Sequence, residues 1–204
     1  IDMSYSDFNL KDIRQKFNLE IIEKLGMFSN APDSKITEHF KETLKDNIPL
    51  ALAINTEKAK SELIISPVLI EVKKLFLNKI SFFSGVEFNV DKEKGLNGFC
   101  DFMISLSSEQ LFIESPVIAL VEAKNDSIMS GLGQCVAEMV AAQIFNQQEN
   151  NEINIIYGVI TTGIFWKFIK LTDNKIYIDL KDYSILDNPQ KIIGMFSSMM
   201  KQEM

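Results

Sequence analysis

The sequence predicts an α/β domain: a mixed central sheet flanked by helices, with a helical extension at the N-terminus. Three observations predict it. Helical periodicity and short β-rich runs follow one another in the order helices, hairpin, strand, helix, strands, helix. The run 117–121 is wholly apolar, as in a strand covered on both faces. A helical stretch and a second β-rich run at 154–161 come next, the pattern of a right-handed crossover between parallel strands. A chain of 204 residues suits one such domain with a small appendage. We place the helical extension at 1–48 and the main domain at 49–204.

Each element has a local reason. Phe8, Leu10, Ile13, Phe17, Ile21, Ile22 and Leu25 fall near helical spacing, so 6–25 reads as partly helical. Asn30–Ser34 is a loop containing Pro32, and a short helix over 34–45 is capped by Asp33 or Ser34 and closed off by Pro49. A long helix over 56–78 starts at Thr56, with Glu57 in its first turn and a kink or break at Pro67. Residues 81–90 and 99–105 make a hairpin across the glycine-containing turn 91–98. A connection with a short extended piece at 111–113 leads to the central strand 117–124. A helix over 130–146 carries the buried stripe Leu132, Cys135, Val136, Met139, Val140 and Ile144. Strands at 154–161, 164–171 and 175–180 follow, and Asn188-Pro189 starts the last helix as cap and first residue.

Composition narrows the setting. No uninterrupted apolar run reaches the roughly 18–20 residues of a membrane span, and the polar opening 1–6 does not read as a secretory leader. Cys100 and Cys135 both sit among apolar residues, which points to buried free thiols in a reducing cytoplasm. One histidine and two apolar-set cysteines give poor material for zinc, and His39 alone cannot furnish a Ser/His/Asp triad. Gly131 and Gly133 lack the third glycine of a dinucleotide fingerprint. A formal charge of −7 gives no general attraction for nucleic acid, so such binding needs local contacts, for which Lys73, Lys74, Lys79, Lys92, Lys94 and Lys167 are candidates.

The chemistry concentrates at the end of the central strand. Alternate strand residues share a face, so Glu122 and Lys124 point the same way at the rim of a core. Desolvated charges there need partners or a metal. Asp101 is a lone carboxylate inside the preceding apolar strand. An acid two residues before a lysine occurs five times in this chain, so spacing alone decides nothing; only Glu122 ends a strongly apolar strand. Glu62, on the long helix, can add a carboxylate from outside the sheet. Gln134 and, one turn on, Glu138 share a face of the helix leaving that strand.

The ordered set Glu62, Asp101, Glu122-Ala123-Lys124, Gln134 resembles the PD-(D/E)XK nuclease superfamily, whose core has the order α-β-β-β-α-β, matched here by 56–171. More narrowly, the segments 49–55, 85–90 and 121–126 resemble a bacterial branch of it. The resemblance implies a restriction-endonuclease-like fold and Mg2+- or Mn2+-dependent hydrolysis of DNA. It implies Asp101, Glu122 and the Ala123 carbonyl as metal ligands, Lys124 on the attacking water or transition state, Glu62 on a second metal or its water, and Gln134 as an accessory group. Cys100 stands where the family name has proline.

Plainer readings stand beside these. Glu122 and Lys124 would be a solvated strand-end pair, Asp101 an acceptor for backbone N–H groups, Glu62 a surface glutamate, and Glu138 a maker of local polar contacts. Trp166 reads as a core aromatic, and the methionines, several in the last helix, as core or a partner surface. The second functional reading is a non-catalytic interaction module that retains the fold. A homodimer through the terminal helices is a further expectation.

Overall fold

Apolar runs bounded by glycine, asparagine and proline become the strands of one sheet. A computed structural model describes residues 3–202; the outermost residues of the two expected segments, 1–2 and 203–204, lie outside them. The strands are β1 (Glu20–Lys24), β2 (Ser81–Glu87), β3 (Phe99–Ser105), β4 (Val117–Ala123), β5 (Ile155–Thr161), β6 (Phe165–Thr172), β7 (Lys175–Asp179) and β8 (Tyr183–Ser184). Their order is β1-β7-β6-β5-β4-β3-β2, with β8 paired to β6. The pairs β4–β5 and β1–β7 are parallel and the rest antiparallel. The architecture is therefore α/β with a mixed eight-stranded sheet flanked by helices.

The helices are α1 (Leu10–Lys16), α2 (Glu38–Ile54), α3 (Glu57–Lys60), α4 (Ser66–Phe76), α5 (Leu132–Gln148) and α6 (Pro189–Met200). Strand alternation sends Phe102, Val121, Val159 and Phe168 into one core with α2, α4 and α6. Leu120, Ile160 and Ile169 enter the other, with α5, which α1 and Tyr5 cover from outside. By length and composition 128–148 could span a membrane, but two thirds of it is buried within this fold. It is the crossover helix between β4 and β5, as expected.

Three expectations need correction, and one strand was not foreseen. Residues 6–25 are helical in part, as read, but the rest includes an unexpected strand: α1 ends at Lys16, Asn18 takes a left-handed φ of +51°, and β-branched Ile21 and Ile22 join β1 beside β7. The expected helical extension thus lends a strand to the sheet. The next helix starts later, capped by Thr37, whose hydroxyl accepts from Phe40 N–H at 3.1 Å. It also runs through Pro49, because Phe40, Leu44 and Ala51 bury both of its halves in one core. The extended piece at 111–113 is not a strand; Leu111 is 91% exposed and Phe112 59%. In the long helix, Thr56 caps as read, accepting from Ala59 N–H, and the break near Pro67 takes the form of a π-helical turn at Ser61–Ile65.

Candidate functional site

Residues at the end of β4 are fixed by α5, which clamps that strand at both ends. At its start, the buried Asn146 accepts from Val117 N–H at 2.8 Å and donates to Val117 C=O at 2.7 Å, standing in for a missing strand neighbour. At its end, Gln134 Nε2 donates to Glu122 Oε2 at 2.9 Å. Lys124 Nζ donates to Glu122 Oε1 at 2.5 Å and to Gln134 Oε1 at 3.3 Å, closing a three-membered polar ring. Gly131 makes room for the lysine: a Cβ there would lie 3.2 Å from Lys124 Cε and 2.9 Å from Ile160 Cγ2.

Asp101 reaches the same place from β3. Its Oδ2 accepts the N–H of Ala123, the amide bonded to the carbonyl carbon of Glu122, at 2.8 Å. Asp101 also faces a cleft of 410 Å³ whose opposite wall includes Glu57 and Glu62. Glu62 stands apart from the bonded network; its carboxylate pairs with Lys58 at 2.9 Å and its side chain is 62% exposed. The structure thus joins Asp101, Glu122, Ala123, Lys124 and Gln134, and leaves Glu62 at the cleft wall.

Electrostatics mark the site as overloaded with negative charge. Glu122 is 1% exposed; burial, then the Asp101 charge, push its carboxyl up to about 8 against the opposing pull of Lys124. Burial also raises Asp101, offset by the Ala123 N–H and by Lys124. Burial drags the Lys124 ammonium down, but Glu122, Glu57 and Asp101 lift it above its ordinary value. Behind them lies Glu138, fully buried, with Oε1 accepting from Gln134 at 3.1 Å and Oε2 without a hydrogen-bond partner among the described residues. Burial and the Glu122 charge hold its carboxyl well above the usual range.

Two contributors, Glu57 and Lys60, escaped the sequence reading, and the burial of a third, Glu138, was not foreseen. Glu57 looked like an ordinary first-turn acid, yet its charge acts on Glu122 and Lys124. Glu138 read as a local polar contact; its signal was a carboxylate set among Val136, Ala137, Met139 and Val140. Lys60 is buried, and its ammonium donates to the Asn125 carbonyl at 2.8 Å and to Asn125 Oδ1 at 3.0 Å, tying α3 to the end of β4.

Other candidates resolve simply. Cys100 and Cys135 are free, and burial pushes both thiols up, so they are inert. Trp166 is fully buried and His39 exposed, as read. The α6 methionines Met195, Met199 and Met200 lie in the chain's own core, not on a partner surface. Lys167 is not available to phosphate: it is 5% exposed and bonds Asp182 at 2.7 Å. Lys74 and Lys94 are paired with Glu71 and Asp91.

Among the described residues, no three His, Cys, Asp or Glu side chains are grouped to chelate an ion on their own. Magnesium does not require this; one or two carboxylates with carbonyl and water oxygens serve it. Two carboxyls, the buried Glu122 and the half-buried Asp101, each pushed toward its neutral form and flanking the Ala123 amide, form a donor set that a divalent cation would relieve. The residues present fit such an ion. No family profile matches the chain, and no curated protein matches it.

Proposed function

We propose that the chain is a magnesium- or manganese-dependent nuclease of the PD-(D/E)XK type, with a restriction-endonuclease-like core, hydrolysing phosphodiester bonds in DNA. The observation that carries this is the meeting of Asp101, Glu122 and Lys124 at one sheet end. A divalent ion bound there supplies Lewis-acid stabilisation of phosphoryl charge and acidifies water. Asp101, Glu122 and the Ala123 carbonyl would hold it, with Glu62 on the cleft wall serving a second ion or ordered water. Lys124 brings a fixed positive charge to the place where charge develops on the phosphate or on the attacking water. Gln134 orients Glu122 and Lys124 by bonding both. The reduced, buried thiols suit a cytoplasmic setting.

The test is cleavage of single- and double-stranded DNA in magnesium by wild type, Asp101→Ala and Lys124→Ala. Wild type is expected to cleave, and each variant to lose at least about a hundredfold. Absence of cleavage of any DNA by pure wild type, with magnesium or manganese, removes the proposal.

One observation favours a second reading, a non-catalytic interaction module: both Glu122 oxygens already have partners. In that case the network is structural, and magnesium leaves the melting temperature unchanged.

A further inference from the structure

A second concavity, of 520 Å³, opens at Asn125, the residue after Lys124. Its walls carry apolar side chains that water meets directly: Met129 is 66% exposed, Leu186 58% and Phe165 50%. Phe165 sits at the start of β6, so its ring is presented by the sheet and not by a loose loop. The polar lining includes Asn125, Asp126, Thr162 and Asp182, the last already paired with Lys167. Lys60 closes it from below, its ammonium bonded to the carbonyl and Oδ1 of Asn125, both neutral acceptors. Among the described residues that ammonium has no carboxylate partner, unlike the other buried lysine, Lys167, which pairs with Asp182. The ammonium hydrogen-bonds only neutral acceptors, and the acids that line the same concavity, Asp126 and Asp182, bond Asn125 and Lys167 instead, so Lys60 can take up an incoming anion beside the proposed scissile centre.

Resting on the nuclease reading above, the geometry points to this concavity as the binding site for an unpaired base of single-stranded DNA. The Phe165 ring and the Met129 thioether offer a shelf for the face of a base, a contact that every base can make. Asp126 is exposed and, among the described residues, bonded only to Asn125 Nδ2, at 3.1 Å. Its carboxylate can accept from the exocyclic amino groups of cytosine, adenine or guanine, which thymine lacks. The Lys60 charge compensates the phosphate that follows the base toward Lys124. A paired base cannot enter a pocket of this kind without leaving its stack.

The charge of the whole chain favours the same choice of strand. Duplex binding draws mainly on neutralising phosphates with lysine and arginine. Here the net charge is −7, and of the six candidate lysines Lys74, Lys94 and Lys167 are paired with acids, which leaves Lys73, Lys79 and Lys92 for backbone contacts. Affinity therefore has to come from stacking more than from backbone charge, which selects unpaired strands and a shallow salt dependence.

The test is fluorescence anisotropy with labelled oligo(dC), oligo(dA), oligo(dT) and a duplex of equal length, in EDTA so that nothing is cleaved. Expected is tighter binding of oligo(dC) and oligo(dA) than of oligo(dT) or duplex. Phe165→Ala and Met129→Ala should each weaken it about tenfold, and Asp126→Ala should remove the base preference. Both apolar side chains are exposed, so each variant should melt at the wild-type temperature; if one fails to fold, the other carries the test. Equal affinity for duplex and single strand, no DNA binding, or unchanged binding by the folded variants overturns the site. Self-association or protein binding lost in Phe165→Ala without DNA binding overturns it in favour of a protein interface. Cleavage by wild type together with unaltered binding by Phe165→Ala rejects this pocket alone. Base-selective binding without cleavage keeps the pocket and rejects the nuclease.

Discussion

Glu122 has a carboxyl that is more comfortable protonated than charged, and the consequence is measurable. Its folded value of about 8 lies above the ordinary 4.5. A raised value means that folding takes up a proton. The associated stability is fully present below about 4.5 and is lost as pH rises through about 8. Metal-free wild type should therefore lose stability across that window, with a slope of at most about 1.4 kcal/mol per pH unit for one proton. Glu122→Gln should flatten that slope in denaturant titrations run across the window. Lys124→Met should cost about 2 kcal/mol at the alkaline end, where Glu122 would be left charged without its strongest partner. It should cost less at the acid end, where a protonated Glu122 no longer needs that partner. These residues were legible in the sequence because a charge at the end of a wholly apolar strand demands a partner. Glu57 was not, because a glutamate in a first helical turn already has a sufficient local explanation in the helix dipole. Glu138 fell between the two: its apolar neighbours were visible, but the face it shares with Gln134 turns inward only once α1 and Tyr5 cover α5.

Between elements, the site depends on how tightly α5 is held against β4 and under the N-terminal segment. A Cβ at Gly133 would stand 2.2 Å from the Phe8 carbonyl oxygen, a backbone atom that cannot swing aside. Gly133→Ala should therefore lift the N-terminal segment off α5 and cost about 1–3 kcal/mol, read as a lower urea midpoint. Asn146→Ala should cost about 2 kcal/mol, because both polar groups of Val117 would lose their partner in a buried place. The core strands β2 to β7 were readable within a few residues, since each is a β-rich run framed by turn residues. β1 was not. Its Ile21 and Ile22 fit a helical stripe as well as a strand, and only pairing with β7, about 150 residues later, decides between them. Pro49 misled for a similar reason: burial of Phe40, Leu44 and Ala51 against the sheet overrides a local breaker.

For the molecule as a whole, the sheet brings β3, β4 and the crossover helix together so that acids from separate segments face one place. The fold is thus arranged to hold more negative charge there than Lys124 balances. A single cation at about a hundred times its Kd would add about 2.7 kcal/mol to stability. The gain should be larger at the alkaline end of the Glu122 window, where no proton competes for the site. The most direct test is calorimetric titration of wild type and Asp101→Asn with magnesium and manganese at neutral pH, in two buffers of different ionisation enthalpy. The account predicts one saturable site in wild type, with protons released into the buffer on binding, and its loss in Asp101→Asn. Absence of binding by wild type, or equal binding by the variant, would contradict it.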